Sequence, residues 1–304
     1  MGVVTASRMV AALHTSSRRK NRTMITDSDH EEKLSRFCHD YVDAGMPGLV
    51  YCLRHPGECL FAFVRIFQMP PLRADLSENL EGTVIRRRLS QGSVIRRTIF
   101  PLRAVLTLPR DHGQYDLGSS KKTLRYEARR ARRLGVRWAR VDEPAERQKL
   151  LQLAAEWEQM HPIEYYREQY PTDHSPLLDY GLWLAAYSTE GRPLLLSVTP
   201  VDGEWALLLY FRTLTTGQEA STARYLMTQV LVEHLIGLRV RYLADPASPL
   251  WLANGLRHYQ RILGFRLVRF HLVPRAWPGH ADDRKRPSAL DAHRRSDDQS
   301  GLLW

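Results

Sequence analysis

Three short apolar runs, at residues 182–187, 194–198 and 205–211, crowd into thirty residues of this chain, parted by Ser188-Thr189-Glu190-Gly191 and by Asp202-Gly203. Runs of five to seven residues bounded by turn residues are too short for helices that bury a face, and Asp-Gly supplies the positive φ angles of a tight hairpin. They predict an antiparallel meander, and the rest of the chain must pack around it. After the loop at 213–217, Tyr225, Leu226, Val230, Leu231 and Leu235 recur at helical spacing up to Gly237, which predicts a long helix. A strand at 239–243, a helix at 251–263 and a last strand at 265–273 complete this half.

Upstream of the meander, an apolar strand is expected at 104–108. Ser120 then caps a helix with the inner stripe Leu124, Ala128, Ala131 and Leu134, closed by Gly135. Residues 136–141 read as a strand, and Pro144 opens a helix with Leu150, Leu151, Ala154, Trp157 and Met160 on one face. Residues 161–179, aromatic and proline-bearing, read as a short helix with a loop. Ser28-Asp29-His30-Glu31 forms a capping box before Leu34, Phe37, Tyr41 and Val42. Residues 60–69 fit a buried helix or a strand, ended by Pro70-Pro71. Gly82-Thr83-Val84-Ile85-Arg86-Arg87 is echoed by Gly92-Ser93-Val94-Ile95-Arg96-Arg97, which predicts two short strands about a turn. The expected organisation is a loose tail at 1–27, an N-terminal α/β region at 28–118, a second domain at 119–277 and a charged tail at 278–304.

Of 304 residues, 43% are apolar and three are cysteine, so the chain is neither disordered nor a disulfide scaffold. Arg54, His55, Glu58 and Arg65 interrupt the most apolar N-terminal stretch, which excludes a membrane span there, and Arg8 and Arg18-Arg19-Lys20 are the reverse of a secretory signal. A cytoplasmic protein is expected. Cys38-His39, Cys52, His55 and Cys59 match no zinc spacing, so no metal is expected. No Walker loop, dinucleotide fingerprint or nucleophile elbow is present. The net charge is +11, and residues 121–140 hold nine basic residues against the single acid Glu127. Such a field attracts anions: a polyphosphate cofactor, transfer RNA or anionic lipid. A solvated helix face is the plainer reading of the same residues.

The order of elements from Val136 to Val273 resembles the GNAT superfamily of acyl-CoA N-acyltransferases. The meander running through a Gly-bearing loop into a helix at 217–224 is similar to that family, as is the ending His258-Tyr259-Gln260-Arg261-Ile262-Leu263-Gly264-Phe265. The basic helix at 121–134 followed by Gly135-Val136 is similar to the connector before the second acyltransferase domain of Fem-type aminoacyltransferases. The resemblance implies a GNAT-like α/β (α+β) fold, a mixed and mostly antiparallel sheet flanked by helices, with an N-terminal region that is a candidate degenerate second copy. It also implies acyl-CoA (acetyl-CoA) as co-substrate, held at a helix N-terminus whose unpaired N–H groups and dipole favour pyrophosphate. Phe211, Arg212, Gly217, Ala220, Ser221, Thr222 and Arg224 occupy the corresponding positions. The family's loop carries two close glycines; this one carries Gly217 alone.

Acylating an amine needs a base for the ammonium proton and a donor for the departing sulfur. Asp245, at the end of a predicted strand, is a candidate base, and an Asp-Pro turn is its plain alternative. Tyr259 and His258 are candidate acids, and Glu156 and His161 are expected to face the acceptor. The expected function is transfer of an acyl group from acyl-CoA to a small-molecule or peptide amine. The alternatives are a Fem-type transferase taking its aminoacyl group from transfer RNA bound through 121–140, or a noncatalytic nucleic-acid-binding protein on the same fold.

Overall fold

The meander forms, and its alternation decides how it is covered. In the computed structural model, which describes residues 32–38, 40–41, 44, 48–90, 102–161, 167, 173–247, 252 and 254–273, the described elements belong to one compact unit. Helices α1 (Gly48–Arg54) and α2 (Pro56–Gln68) precede strand β1 (Pro71–Ala74), helix α3 (Leu80–Leu89) and strand β2 (Leu102–Thr107). Helix α4 (Lys122–Arg133), strand β3 (Arg137–Arg140) and helix α5 (Pro144–Gln159) lead to the meander strands β4 (Leu182–Tyr187) and β5 (Pro193–Thr199). Then come β6 (Val201–Asp202), β7 (Trp205–Leu207), β8 (Tyr210–Thr213), helix α6 (Gln218–Gly237), β9 (Tyr242–Ala244), helix α7 (Asn254–Leu263) and β10 (Arg266–Leu272).

The strands form a four-stranded antiparallel sheet, β3-β4-β5-β8, and a six-stranded mixed sheet, β1-β10-β2-β9-β7-β6. Among the described residues, only β1 with β10 and β7 with β9 run parallel. The fold is thus mixed α/β, with mostly antiparallel sheet flanked by helices, as the sequence leads one to expect.

Side chains alternate across a strand, so β4 presents Leu182, Leu184 and Ala186 to one core and Trp183 and Ala185 to another. The first face is covered by Leu124, Ala128 and Ala131 of α4 with Ala223, Leu226, Met227 and Val230 of α6. The second is covered by Leu150, Leu151 and Ala154 of α5. At about 1.5–3 kcal/mol for each large apolar side chain buried, these two layers dominate the stability of the meander. Pro144 starts α5 where a missing N–H costs nothing. The β6–β7 hairpin turns at Gly203, whose φ of 56° is the left-handed conformation the Asp-Gly pair predicts.

Several expectations need correction. Residues 82–87 are not a strand: they lie within α3, whose N-cap Asn79 accepts a hydrogen bond from Gly82 N at 2.6 Å. The echo at 92–97 and the capping box at 28–31 lie outside the described residues; a helical segment at 32–38 follows, with Leu34 and Phe37 buried. The ambiguous stretch 60–69 is helical through Gln68. Ser120 falls in a 3₁₀ turn, Ser119–Lys121, that feeds α4 without a side-chain cap. Met160 is exposed, and Glu158 takes the buried place on α5. The strand expected at 239–243 begins only at Tyr242.

The third meander run departs most. It is two strands: β7 pairs with β9 in the six-stranded sheet, and β8 pairs with β5 in the four-stranded one. Between them Leu208 N donates to Ala244 O at 2.9 Å and Leu209 N to Leu207 O at 2.7 Å, so the chain bends and changes partners. The sheets part at this point, and β8 diverges from the residues that follow β9.

Candidate functional site at the parting of the sheets

Four polar side chains converge where β8 leaves the shared strand. Helix α5 repeats Leu150, Ala154 and Glu158 at a spacing of four, so the apolar stripe ends on a carboxylate. Glu158 is only 6% exposed and is held from three sides. Its Oε1 accepts from Tyr210 Oη at 3.0 Å and lies 3.3 Å from Arg212 Nε; its Oε2 lies 2.6 Å from His174 Nε2. Tyr210 and Arg212, two residues apart on β8, share a face and therefore both reach α5. His174, 8% exposed at the start of a 3₁₀ turn (Ser175–Asp179), packs edge-on against the Tyr210 ring, while the Arg212 guanidinium lies 5.6 Å from the centre of that ring.

Opposite β8, just past β9, stands Asp245. Burial pushes its carboxyl above the ordinary range, against the pull of hydrogen bonds from Ala247 N at 2.8 Å and Gln260 Nε2 at 2.7 Å and of the Arg212 charge. The charge of Arg212 thus acts on a carboxylate from each side of the split, Glu158 in an ion pair and Asp245 at longer range. About a third of its side chain is exposed, whereas Glu158 and His174 are almost wholly covered.

The remaining candidates lie elsewhere. Glu156 is exposed and accepts from Gln152 at 3.0 Å; it precedes the buried carboxylate by two residues, a half turn of helix. His161 packs edge-on against Trp157 at 5.9 Å. His258 is exposed, with Nδ1 3.2 Å from Arg261. Tyr259 lies between helices: its hydroxyl is shared between Thr228 Oγ1 at 3.0 Å and the Arg224 carbonyl at 3.1 Å, and burial raises it far above the usual phenol range. The Arg224 guanidinium lies 5.2 Å from its ring centre.

At the N-terminus of α6, Gly217 has a φ of 110° and its carbonyl accepts from Ser221 N at 3.0 Å. Ser221 is exposed, Ala220 is buried, and the Thr222 hydroxyl is directed back to the carbonyls of Gln218 and Glu219. Phe211, half-buried, packs on the core. Glu219 brings a carboxylate into the first turn, 3.5 Å from Arg192, and Arg130 of α4 reaches the side-chain amide of Gln218.

Among the described residues, no group of three His, Cys, Asp or Glu side chains is placed to hold a metal; Cys52 and Cys59 Sγ lie 3.3 Å apart. Among the same residues, no helix is long and apolar enough to cross a membrane.

No protein-family model matches the sequence, and no curated protein is similar to it in sequence. Similar solved structures include the C-terminal (DUF2156) domain of a putative lysylphosphatidylglycerol synthetase from Agrobacterium fabrum, at 14% identity and a TM-score of 0.41 over 55% of this chain and 58% of that one. The L-PGS of Bacillus licheniformis follows at 14% identity and 0.40, over 59% and 62%. A conserved protein of unknown function from Bacteroides thetaiotaomicron matches at 13% identity and 0.41, over 63% and 75%. This chain thus spans less than two thirds of the first two. At these values the likeness carries no substrate or residue role to this chain.

The expectation of acyl-CoA as co-substrate is corrected. Neither the putative lysylphosphatidylglycerol synthetase nor the L-PGS is named for coenzyme A. The α6 terminus gives a physical reason: Thr222 is committed to backbone carbonyls, Ala220 is buried, and Glu219 adds negative charge where a pyrophosphate needs positive.

Proposed function

We propose that this chain is an aminoacyl transferase that takes its aminoacyl group from transfer RNA and passes it to an amine or hydroxyl acceptor at the parting of the sheets. One observation carries the reading: the arginine-rich helix α4 packs along α6 and, through Arg130, meets the first residue of α6, five residues past the end of β8. A cationic surface therefore leads to the mouth of the split that holds Arg212 and Asp245. Leu124, Ala128 and Ala131 bury the other side of α4, which leaves Lys122, Arg129 and Arg133 facing solvent.

The donor bond is an ester to a ribose hydroxyl. Asp245, made more basic by burial, takes the proton of the attacking amine or hydroxyl. Arg212, the member of its cluster that solvent reaches, meets the ester oxygen as it gains negative charge. Glu158, His174 and Tyr210 hold Arg212 in place; they are positioning residues. As the new acyl–nitrogen or acyl–oxygen bond forms, the ester C–O bond breaks and the ribose oxygen leaves with the proton that Asp245 took from the acceptor, so no coenzyme is needed.

The test uses charged transfer RNA and separates binding from transfer. Arg129→Gln with Arg133→Gln should weaken binding and flatten the dependence of log K on log salt by about one unit or more, at roughly 0.7–0.9 for each phosphate no longer neutralised. Asp245→Asn should bind as before and lose about 10²–10⁴-fold in the rate at which the charged RNA is consumed. A wild-type chain that does not bind charged transfer RNA, or an Asp245→Asn variant that consumes it at the wild-type rate, overturns the reading.

A further inference from the structure

Among the described residues, the exposed large apolar side chains are concentrated on the helical pair α1–α2. Val50, Leu53, Leu60, Phe61, Phe63, Val64 and Phe67 all stand out, with Leu53 and Leu60 at 74% and 64% exposure and Phe63 and Phe67 near 40%. Helix α2 buries one side, Ala62 and Ile66, against the core that includes Leu34 and Tyr51. At 100° per residue, Phe63, Phe67, Leu60 and Val64 fall within one arc of about 100°, which starts beside buried Ile66 at Phe63 and ends opposite the buried side at Val64, with Phe61 about 60° further round. A helix apolar on both faces requires a second partner for the outer one, and a contiguous aromatic surface of this kind is rare on a chain that meets only water.

The border of this face says what the partner is. Arg65 lies 5.3 Å from the Phe61 ring centre; Arg269 of β10 lies 5.0 Å from that of Phe67 and donates to the Phe67 carbonyl at 3.0 Å. Arg54 ends α1 and exposed Arg73 stands on β1. Against them on α1 and α2 is the single acid Glu58, which accepts from Tyr51 Oη at 3.2 Å. Aromatic rings flanked by guanidinium groups match the boundary between acyl chains and anionic headgroups, where rings enter the apolar layer and arginines pair with phosphates. A protein partner would need an acidic rim about an apolar centre; a bilayer with anionic lipid supplies both continuously.

We propose that the outer face of α1–α2 is a docking surface for an anionic lipid bilayer, on which α2 lies in the plane of the interface without crossing it. This surface is independent of the transfer reaction proposed above: either can fail while the other stands.

The test is sedimentation of the full-length chain with vesicles of phosphatidylcholine alone and with phosphatidylglycerol added. Binding should require the anionic lipid and should fall, without vanishing, at high salt, because the apolar contribution is not screened. The triple variant Leu60→Gln, Phe63→Gln, Phe67→Gln should lower vesicle partition by about tenfold or more, since each change removes an apolar side chain from the bilayer. Its thermal melt should remain a single cooperative transition, lowered only by the packing that the partly covered rings of Phe63 and Phe67 lose. As a variant that keeps the surface apolar, Phe63→Trp should gain a fluorescence component quenched by lipids brominated on their acyl chains. The proposal is overturned if the wild type stays in solution with anionic vesicles, if the triple variant still sediments with them, or if the new tryptophan is not quenched. It is equally overturned if the triple variant merely converts a dimer to a monomer in a chain that binds no vesicles, which would give the face to a second copy.

Discussion

Glu158 is the residue whose removal should cost most, and the structure sets how much. Glu158→Ala removes the acceptor of Tyr210 and of His174 and the counter-charge of Arg212, all at a position 6% exposed. Breaking a buried charged cluster by deleting one partner costs about 3–5 kcal/mol, because the groups left behind stay out of water. Glu158→Gln keeps the shape and one carbonyl acceptor, so it should cost less, about 1.5–3 kcal/mol. Arg212→Gln removes a group about a third exposed but leaves the covered Glu158 carboxylate with Tyr210 and His174 as partners, so it should cost less than either, about 1–2 kcal/mol. The assay is urea denaturation followed by tryptophan fluorescence, with midpoints compared at a common slope. The expected order is Ala, then Gln, then the Arg212 variant. If Glu158→Ala fell within about 0.5 kcal/mol of wild type, the carboxylate would have no role in holding β8 against α5, and the assignment of Glu158 as a positioning residue would fall with it.

Other perturbations follow from local geometry. Burial brings the Lys121 ammonium down to about 8 from 10.5, so between those values the unfolded chain keeps a proton that the folded chain has released, and this group adds stability as pH rises. Cys38, raised by burial to about 12 from 9, acts oppositely above pH 9. Urea midpoints at about pH 7.5 and about pH 9 should therefore rise more in wild type than in Lys121→Met, and an equal change in both refutes the assignment. Asp202, at the β6–β7 hairpin, accepts from Ser77 N at 2.7 Å and Ser77 Oγ at 2.6 Å and so ties the hairpin to the start of α3; Asp202→Ala should cost about 1–3 kcal/mol in the same melts. A Cβ at Gly82 would stand 2.5 Å from Ser77 O and 2.6 Å from Asp202 Oδ2, so Gly82→Ala should destabilise by about 1–3 kcal/mol, although alanine is the better helix former.

What the sequence discloses and what it withholds divide along the range of the forces involved. Local signals place the helix of Leu124, Ala128 and Ala131, the turn at Gly203 and the stop at Gly135, where φ is 78°, because each depends on residues within one or two turns of chain. Residues 82–87 read as a strand from their β-branched pair Val84-Ile85, yet Asn79 caps a helix there and Ile85 and Leu89 bury one face of it. Glu158 is legible in retrospect: an acid four residues past Ala154, on the stripe of Leu150, marks a buried carboxylate, whereas Glu156 is a half turn away and exposed. His174 and Tyr210 are not legible, because nothing local to either refers to a carboxylate 16 and 52 residues distant.

The bend at Leu208-Leu209 is the clearest case of that limit. Trp205 to Phe211 is a continuous apolar run, and its local chemistry fits one straight strand. It breaks because Leu207 is paired in register with Ala244 on one side, while Tyr210 is paired with Val198 on the other, and no single plane accommodates both partners. The break is what turns Arg212 towards Glu158 and leaves Asp245 facing it across the gap. A site formed by two sheets parting cannot be written in the sequence of either one, and its residues are legible individually only where, as at Glu158, a charge interrupts an apolar period.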